Sequence, residues 1–242
     1  MSTFMIHCGG KQVNVAELAA IPLPERTDTY EPVAFTDLLM NTRRICDDLL
    51  NLEFVDQKLA VSKNEQRFFG LLQYKDPNND EMGQAIGIRS SHDKSMSNGF
   101  CAGSTVFVCD NMSFTGEVTY MRKHTKNVFD DLQDKLVSVL YKSKDKFSNI
   151  VKDADNMKDI EITTDDAFSF IGRAFGYKTL GARQASDAIR HWNNPPYAEF
   201  MDKSVWSLYN ACTESLKSTP PNKILERHID LHDRTLNEFG IS

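Results

Sequence analysis

Residues Gly83–Thr125 read GQAIGIRSSHDKSMSNGFCAGSTVFVCDNMSFTGEVTYMRKHT. Apolar, β-branched and aromatic residues cluster here between turn formers, which predicts three strands at Gly83–Ser90, Gly103–Cys109 and Ser113–Arg122. Ser91–Gly99 is a polar, glycine-ended connection, and Asp110-Asn111 gives a tight turn. Just upstream, Phe54–Val61 and Arg67–Lys75 flank the polar turn Ser62-Lys63-Asn64-Glu65 and read as a hairpin, followed by the loop Asp76–Glu81. Five strands in succession, joined by short links, imply an antiparallel meander with one face against helices.

On both sides of this meander the period becomes helical. Leu38, Leu39, Ile45, Leu49 and Leu50 predict a helix over Phe35–Leu52. Val128, Phe129, Leu132, Leu136, Leu140, Phe147 and Ile150 predict a long one over Asn127–Val151, started by Thr125 or Asn127 with Asp130 and Asp131 in its first turn. Further helices are expected at Thr164–Gly176, Gly181–Trp192, Lys203–Lys217 and Pro221–Phe239. The class is α+β: an antiparallel meander of about five strands packed on a long helix. Residues 1–34, with Pro22, Pro24 and Pro32, read as an irregular lead-in with a short strand at Phe4–His7; 35–151 form the core domain. Residues 152–242 form a helical region packed on that core or on a neighbouring subunit.

Composition sets the outer bounds. A chain of 242 residues with 40% hydrophobic and 26% charged content can bury a full core. It contains no apolar run of about 18 residues, and its start lacks the basic-then-apolar pattern of a secretory signal. Five cysteines without a CxxC pair argue against structural zinc and a disulfide framework, and fit a reducing cytoplasm. The net charge of −6 is uneven: residues 1–57 carry −5, residues 127–242 carry −3, and residues 58–126 carry +2. The β-rich middle is the net-positive part of an acidic chain.

Several short motifs follow one another in order: Ser91-His92-Asp93-Lys94-Ser95, Val106-Phe107-Val108-Cys109-Asp110-Asn111, Phe114-Thr115-Gly116-Glu117, and Arg122-Lys123-His124-Thr125. Near the C-terminus comes Trp206-Ser207-Leu208-Tyr209-Asn210-Ala211-Cys212-Thr213-Glu214. In these the chain resembles a family encoded by phages and plasmids, a phage/plasmid-like domain of unknown function (number nine-three-two in its series). The matching positions include His92, Asp93, Asn111, Glu117, Asn210 and Glu214, and the pieces frame the chain from about residue 35 onward. The resemblance implies a mobile-element setting in a bacterial host cytoplasm and brings no agreed catalytic activity. The order helix, hairpin, three-stranded sheet, long helix is also similar to that of Rad-fifty-two-like single-strand annealing proteins. Likeness of fold alone does not settle function.

Three constellations invite chemistry. His92-Asp93, among Ser90, Ser91, Ser95 and Ser97, suggests a hydrolase, but adjacent strand residues point to opposite faces and no GxSxG elbow is present. A turn in which Asp93 and the serines cap backbone amides accounts for the same residues. His228 and His232 stand four apart on a predicted helix, yet the glutamate base of HExxH is missing, so helix packing is the simpler account. Arg67, Lys75, Arg89, Lys94, Arg122, Lys123 and Lys126 lie in or beside the sheet, interleaved with aromatics that include Tyr74 and Tyr120. Single-strand binders combine such a cationic track with aromatic stacking platforms.

The expected function is non-specific binding of single-stranded DNA by a homo-oligomer, assisting strand annealing or DNA protection, with those seven cations on phosphates and the two tyrosines on bases; it leans on a sheet around residues 58–126 that presents its cations together on one open side. No cofactor or metal is called for, and no membrane. Overall acidity supports an alternative, a module that inhibits or diverts a host defence or replication protein. A third reading is an enzyme centred on His92, Asp93, His228 and His232.

Overall fold

Leu72 sits between Gln57 on one neighbouring strand and Ile86 on the other, and this register runs through a six-stranded antiparallel sheet in sequential order. The computed structural model describes residues 10–77, 81–106, 111–219 and 221–241, with the side chains of 111–119, 144, 145, 221, 222 and 225 outside that description. Its strands are β1 (Lys11–Gln12), β2 (Glu53–Val61), β3 (Arg67–Lys75), β4 (Met82–Ser91), β5 (Asn98–Val106) and β6 (Asn111–Arg122). The α+β class and the meander are as expected. The fourth strand of the expected five begins earlier, at Asn98; its expected end at Phe107–Cys109, and Asp110 of the turn, lie outside the described residues.

The sixth strand comes from the lead-in, which is more ordered than its prolines suggest. β1 pairs with β2, and α1 (Val15–Ala19) follows at once. Asn14 opens α1 with a capping box: its side chain accepts from the Glu17 amide at 2.9 Å, and Glu17 accepts from the Asn14 amide at 2.8 Å. Val13, Leu18, Tyr30 and Val33 are buried, which ties this segment to the core. The expected strand at Phe4–His7 lies outside the described residues.

Alternation along the strands sorts the side chains onto two faces. One face carries Leu59, Val61, Phe68, Leu72, Tyr74, Ile86, Ile88, Phe100 and Ala102, all buried. They pack with Phe35, Leu38, Leu39 and Ile45 of α2 (Phe35–Leu49) and with Val128, Leu132, Leu136 and Leu140 of α3 (Val128–Asp159). Full burial of each such side chain is worth about 1.5–3 kcal/mol, so this face is where the fold is held. Between Cys101 and Gly103 the partners on β6 jump from Thr119 to Phe114, a bulge that bends the edge strand.

α3 is one helix of 32 residues, so a boundary at residue 151 falls inside it. Its second half contributes Phe147, Ile150, Ala154 and Met157 to a second core with α4 (Thr164–Gly176), α5 (Ala182–Asn193), a short 3-10 turn (Ala198–Phe200), α6 (Val205–Leu216) and α7 (Pro221–Phe239). Met82 and Val106 of the sheet belong to the same core, so the C-terminal helices pack on the chain's own sheet. Among the described residues, no helix is long and apolar enough to cross a membrane.

Candidate nucleic-acid interface

The pairs Arg67 with Ser91 and Asn98 with Arg122 bring the start of β3, the end of β4, the start of β5 and the end of β6 to one rim of the sheet. Arg89, opposite Phe69, lies two residues inside that rim. Lys94 occupies the β4–β5 turn, and Lys123 and Lys126 the link from β6 to α3. Six of the seven expected cations thus gather at one end of the sheet. Lys75 does not: it pairs with Glu53 and Gly83 at the opposite end.

The same register corrects the expectation of a single open face. Arg67, Lys75 and Arg89 share one face, while Arg122 lies on the other, with Tyr74 and Tyr120. That second face is the one sealed by α2 and α3. The first is not an exposed platform either, since Leu71, Gln73, Ala85 and Thr105 on it are buried. Tyr74 is wholly enclosed: its ring meets Phe54 edge-on and its hydroxyl donates to Asp47 Oδ1 at 3.1 Å. Burial pushes its phenol far above the ordinary range. Tyr120 packs half-buried against the same core. The stacking role expected of Tyr74 is therefore excluded by its burial, and Tyr120 faces the helices.

Two buried histidines hold the rim together. His92 lies flat on Phe35, with ring centroids 3.8 Å apart and planes 12° apart, and its Nε2 bonds Val33 O at 3.1 Å. His124 bonds Met96 O through Nε2 at 2.9 Å and the Asn98 amide through Nδ1 at 3.2 Å. Ser90 donates to Asn98 Oδ1 at 2.6 Å, and Tyr30 donates its hydroxyl to His92 O at 3.0 Å. Lead-in, β4–β5 turn and β6–α3 link are thereby locked to one another. Burial lowers the pKa of both imidazoles, and burial followed by Asp93 raises that of Tyr30.

Around this latch the cations differ in how they are used. Arg67 donates to Asp93 at 3.1 Å and to Ser95 at 2.8 Å, while Asp93 also accepts from the Ser95 amide at 3.0 Å. The Asp93 carboxylate thus caps its own turn, and His92 is turned into the core, bonded to Val33 O rather than to Asp93. Arg122 is paired with Asp131 of α3 at 2.7 Å. Arg89 is half-buried, and burial lowers its pKa. Lys94 stands 4.3 Å over the Tyr30 ring. Lys94, Lys123 and Lys126 are exposed and have no carboxylate partner among the described residues; the same holds for Lys63 in the β2–β3 turn. Sequence reasoning saw Lys63 only as a turn residue; its place in a hairpin tip at this end was the available signal.

The other motifs resolve into packing. His228 and His232 are buried on α7, and His232 Nε2 lies 3.3 Å from Asp153 of α3, its ring edge-on to Tyr209. Asn210 donates to Trp206 O at 3.0 Å within α6, and Glu214 pairs with Lys217 at 2.6 Å. Asn111 and Glu117 lie on β6 where the backbone alone is described.

A family model described as a domain of unknown function (DUF932) matches residues 22–236. No curated protein matches the chain. No solved structure does either, so the likeness to the annealing proteins stays an expectation.

Proposed function

From a chain that belongs to the DUF932 family of domains of unknown function, activity has to be read off its own surface, and we propose that it binds single-stranded DNA without sequence preference along the cationic rim. The observation that supports this is the gathering of Lys63, Lys94, Lys123 and Lys126, exposed and without a carboxylate partner among the described residues, beside Arg67 and Arg89 on an otherwise acidic chain. At roughly 4.8 Å per strand, the rim from the β2–β3 turn to the end of β6 spans about 15–20 Å, which fits a few nucleotides. With Tyr74 enclosed, contact is to the phosphate backbone rather than to stacked bases.

Such binding is strongly salt-dependent. Neutralising about four phosphates gives a slope near −3 in log affinity against log salt for a single strand. Fluorescence anisotropy with a labelled oligothymidine measures it. The triple variant Lys94→Glu, Lys123→Glu, Lys126→Glu is expected to weaken binding at least tenfold, and Lys75→Glu at the far rim to leave it unchanged. Lack of salt-dependent binding at micromolar protein ends the proposal. The setting proposed is a mobile element in a bacterial cytoplasm, with assembly into homo-oligomers read from solution mass with and without the oligonucleotide.

A second reading, engagement of a host protein, draws on Phe168 and Phe175, 38% and 49% exposed and seven residues apart on one side of α4. Aromatics shown to solvent on one helix face suit a protein contact. A stoichiometric host protein retained from lysate by the wild type and lost by Phe168→Ser, Phe175→Ser supports it.

A further inference from the structure

Away from the rim, a groove of about 260 Å³ opens between α4 and α7. Its floor is apolar, made by Phe170 and Ala174, and its walls carry Arg173, Tyr177, Arg234 and Glu238. Arg173 is committed, gripping the Glu238 carboxylate with Nε at 3.1 Å and also with Nη2. Arg234 is held only at its inner end. Its Nε donates to Asp230 Oδ2 at 2.9 Å and to Thr179 Oγ1 at 3.0 Å, and no described residue accepts from either terminal nitrogen.

The guanidinium carbon of Arg234 stands 4.3 Å from the centroid of the Tyr177 ring, and Tyr177 is 64% exposed. An unused guanidinium fork matches two oxygens of a phosphate or carboxylate, and its position is fixed in advance by the bonds at Nε. The guanidinium lies over one face of this ring, and the part of the ring it leaves exposed offers a surface to a planar group. The volume lies just under the roughly 300–1,000 Å³ of sites that enclose drug-sized ligands, so it suits one ring with one anionic group.

We propose that this groove binds a nucleotide, its phosphate on the terminal nitrogens of Arg234 and its base on the surface of the Tyr177 ring that Arg234 leaves uncovered. The site shares no residue with the rim and does not depend on the rim's binding DNA. The nucleotide is either free or the phosphorylated end of a strand.

Isothermal titration of the full chain with dTMP tests this, with inorganic phosphate as the comparison. Wild type is expected to bind dTMP at least tenfold more tightly than phosphate. Arg234→Gln weakens dTMP at least tenfold. Because that change also releases Asp230 and Thr179, Tyr177→Ala serves as the second variant: it is exposed, leaves the fold's circular dichroism unchanged, and weakens dTMP several-fold without affecting phosphate. Lys94→Glu, Lys123→Glu, Lys126→Glu leaves dTMP binding intact, which separates failure here from failure at the rim. Competition by a 5′-phosphorylated octamer but not by its unphosphorylated form assigns the strand end as the source; no competition by either assigns the free nucleotide. Millimolar dTMP without heat of binding, or phosphate binding as tightly as dTMP, overturns the proposal.

Discussion

Asn98 donates its side-chain amide to Nδ1 of the buried His124 at 3.2 Å, a contact that fits only one tautomer of the neutral ring. Met96 O, 2.9 Å from Nε2, can only accept, whereas the Ser90 hydroxyl, 2.6 Å from Asn98 Oδ1, suits whichever way the amide is turned. His124 therefore carries its proton on Nε2, where Met96 O accepts it. His92 is held in the same form by Val33 O, and its buried Nδ1 meets no acceptor among the described residues. A second proton on either ring would face a donor or nothing.

Acid is expected to loosen this latch. Burial lowers both folded pKa values from the ordinary 6.5, against an opposing pull from the Val33 and Met96 carbonyls. The unfolded chain therefore takes up protons first as pH falls. Stability is complete above about pH 6.5 and is lost as pH drops from there through the folded values. The urea midpoint should be lower at pH 5.5 than at pH 7.5. His92→Phe keeps a flat ring on Phe35, costs about 1 kcal/mol for the Val33 bond, and flattens the pH dependence. An undiminished slope in that variant would count against the assignment. His124, which this variant keeps, and His191, also lowered by burial, leave a residual slope.

Asp93→Asn separates the turn from the catalytic reading. Burial would raise this carboxyl, but bonds from Ser95 and the charge and bond of Arg67 outweigh it and hold it below the usual range. The pair with Arg67 is half-exposed, so its loss costs about 1 kcal/mol or less. The same change removes a negative charge from the rim and frees Arg67. Affinity for oligothymidine at low salt should rise several-fold, where a hydrolase built on His92 and Asp93 would lose its activity.

What the sequence disclosed and what it hid follow from one property of strands. Hairpins announced themselves through turn formers and composition, so β2 at Glu53–Val61 and β3 at Arg67–Lys75 emerge within a residue of the reading. Charge clustering was equally plain, because it depends on spacing alone. Which face a residue takes depends on the parity of its register, and Tyr74 and Arg89 sit fifteen apart on opposite faces of adjacent strands. Composition cannot supply that parity when both faces are buried, as Ala85 and Ile86 are. The small elements β1 and α1 escaped notice because two strand residues and five helical ones carry no period. The groove over Phe170 was invisible because Arg173 and Arg234 meet only in space.

Tyr74→Phe tests the core role of a residue first read as a base platform. It deletes the hydroxyl that donates to Asp47 at 3.1 Å and leaves the ring against Phe54. A loss of about 1 kcal/mol is expected in chemical denaturation, with no change in oligonucleotide affinity. Tyr74→Leu removes the ring itself: it should cost more stability and likewise leave affinity unchanged. Weakened DNA binding by the folded Tyr74→Leu protein would restore the stacking role.

Two glycines of similar appearance should respond to alanine with opposite signs. Gly99 lies on the crowded face of β5, opposite Met121 of β6. A Cβ there would stand 2.9 Å from the Tyr120 carbonyl oxygen and closer still to the Met121 sulfur. A methionine can swing aside, but a ladder carbonyl cannot move without breaking the pairing that carries Tyr120 and Arg122. Overpacking of this kind costs about 1–3 kcal/mol. Gly172 lies in the middle of α4, exposed, with nothing within 4 Å of where its Cβ would be. There alanine restricts the unfolded chain and meets no neighbour, so a gain of about 0.5–1 kcal/mol is expected. Thermal melts of Gly99→Ala and Gly172→Ala, measured side by side, should bracket the wild type; if both fall below it, the helix face at Gly172 is not open.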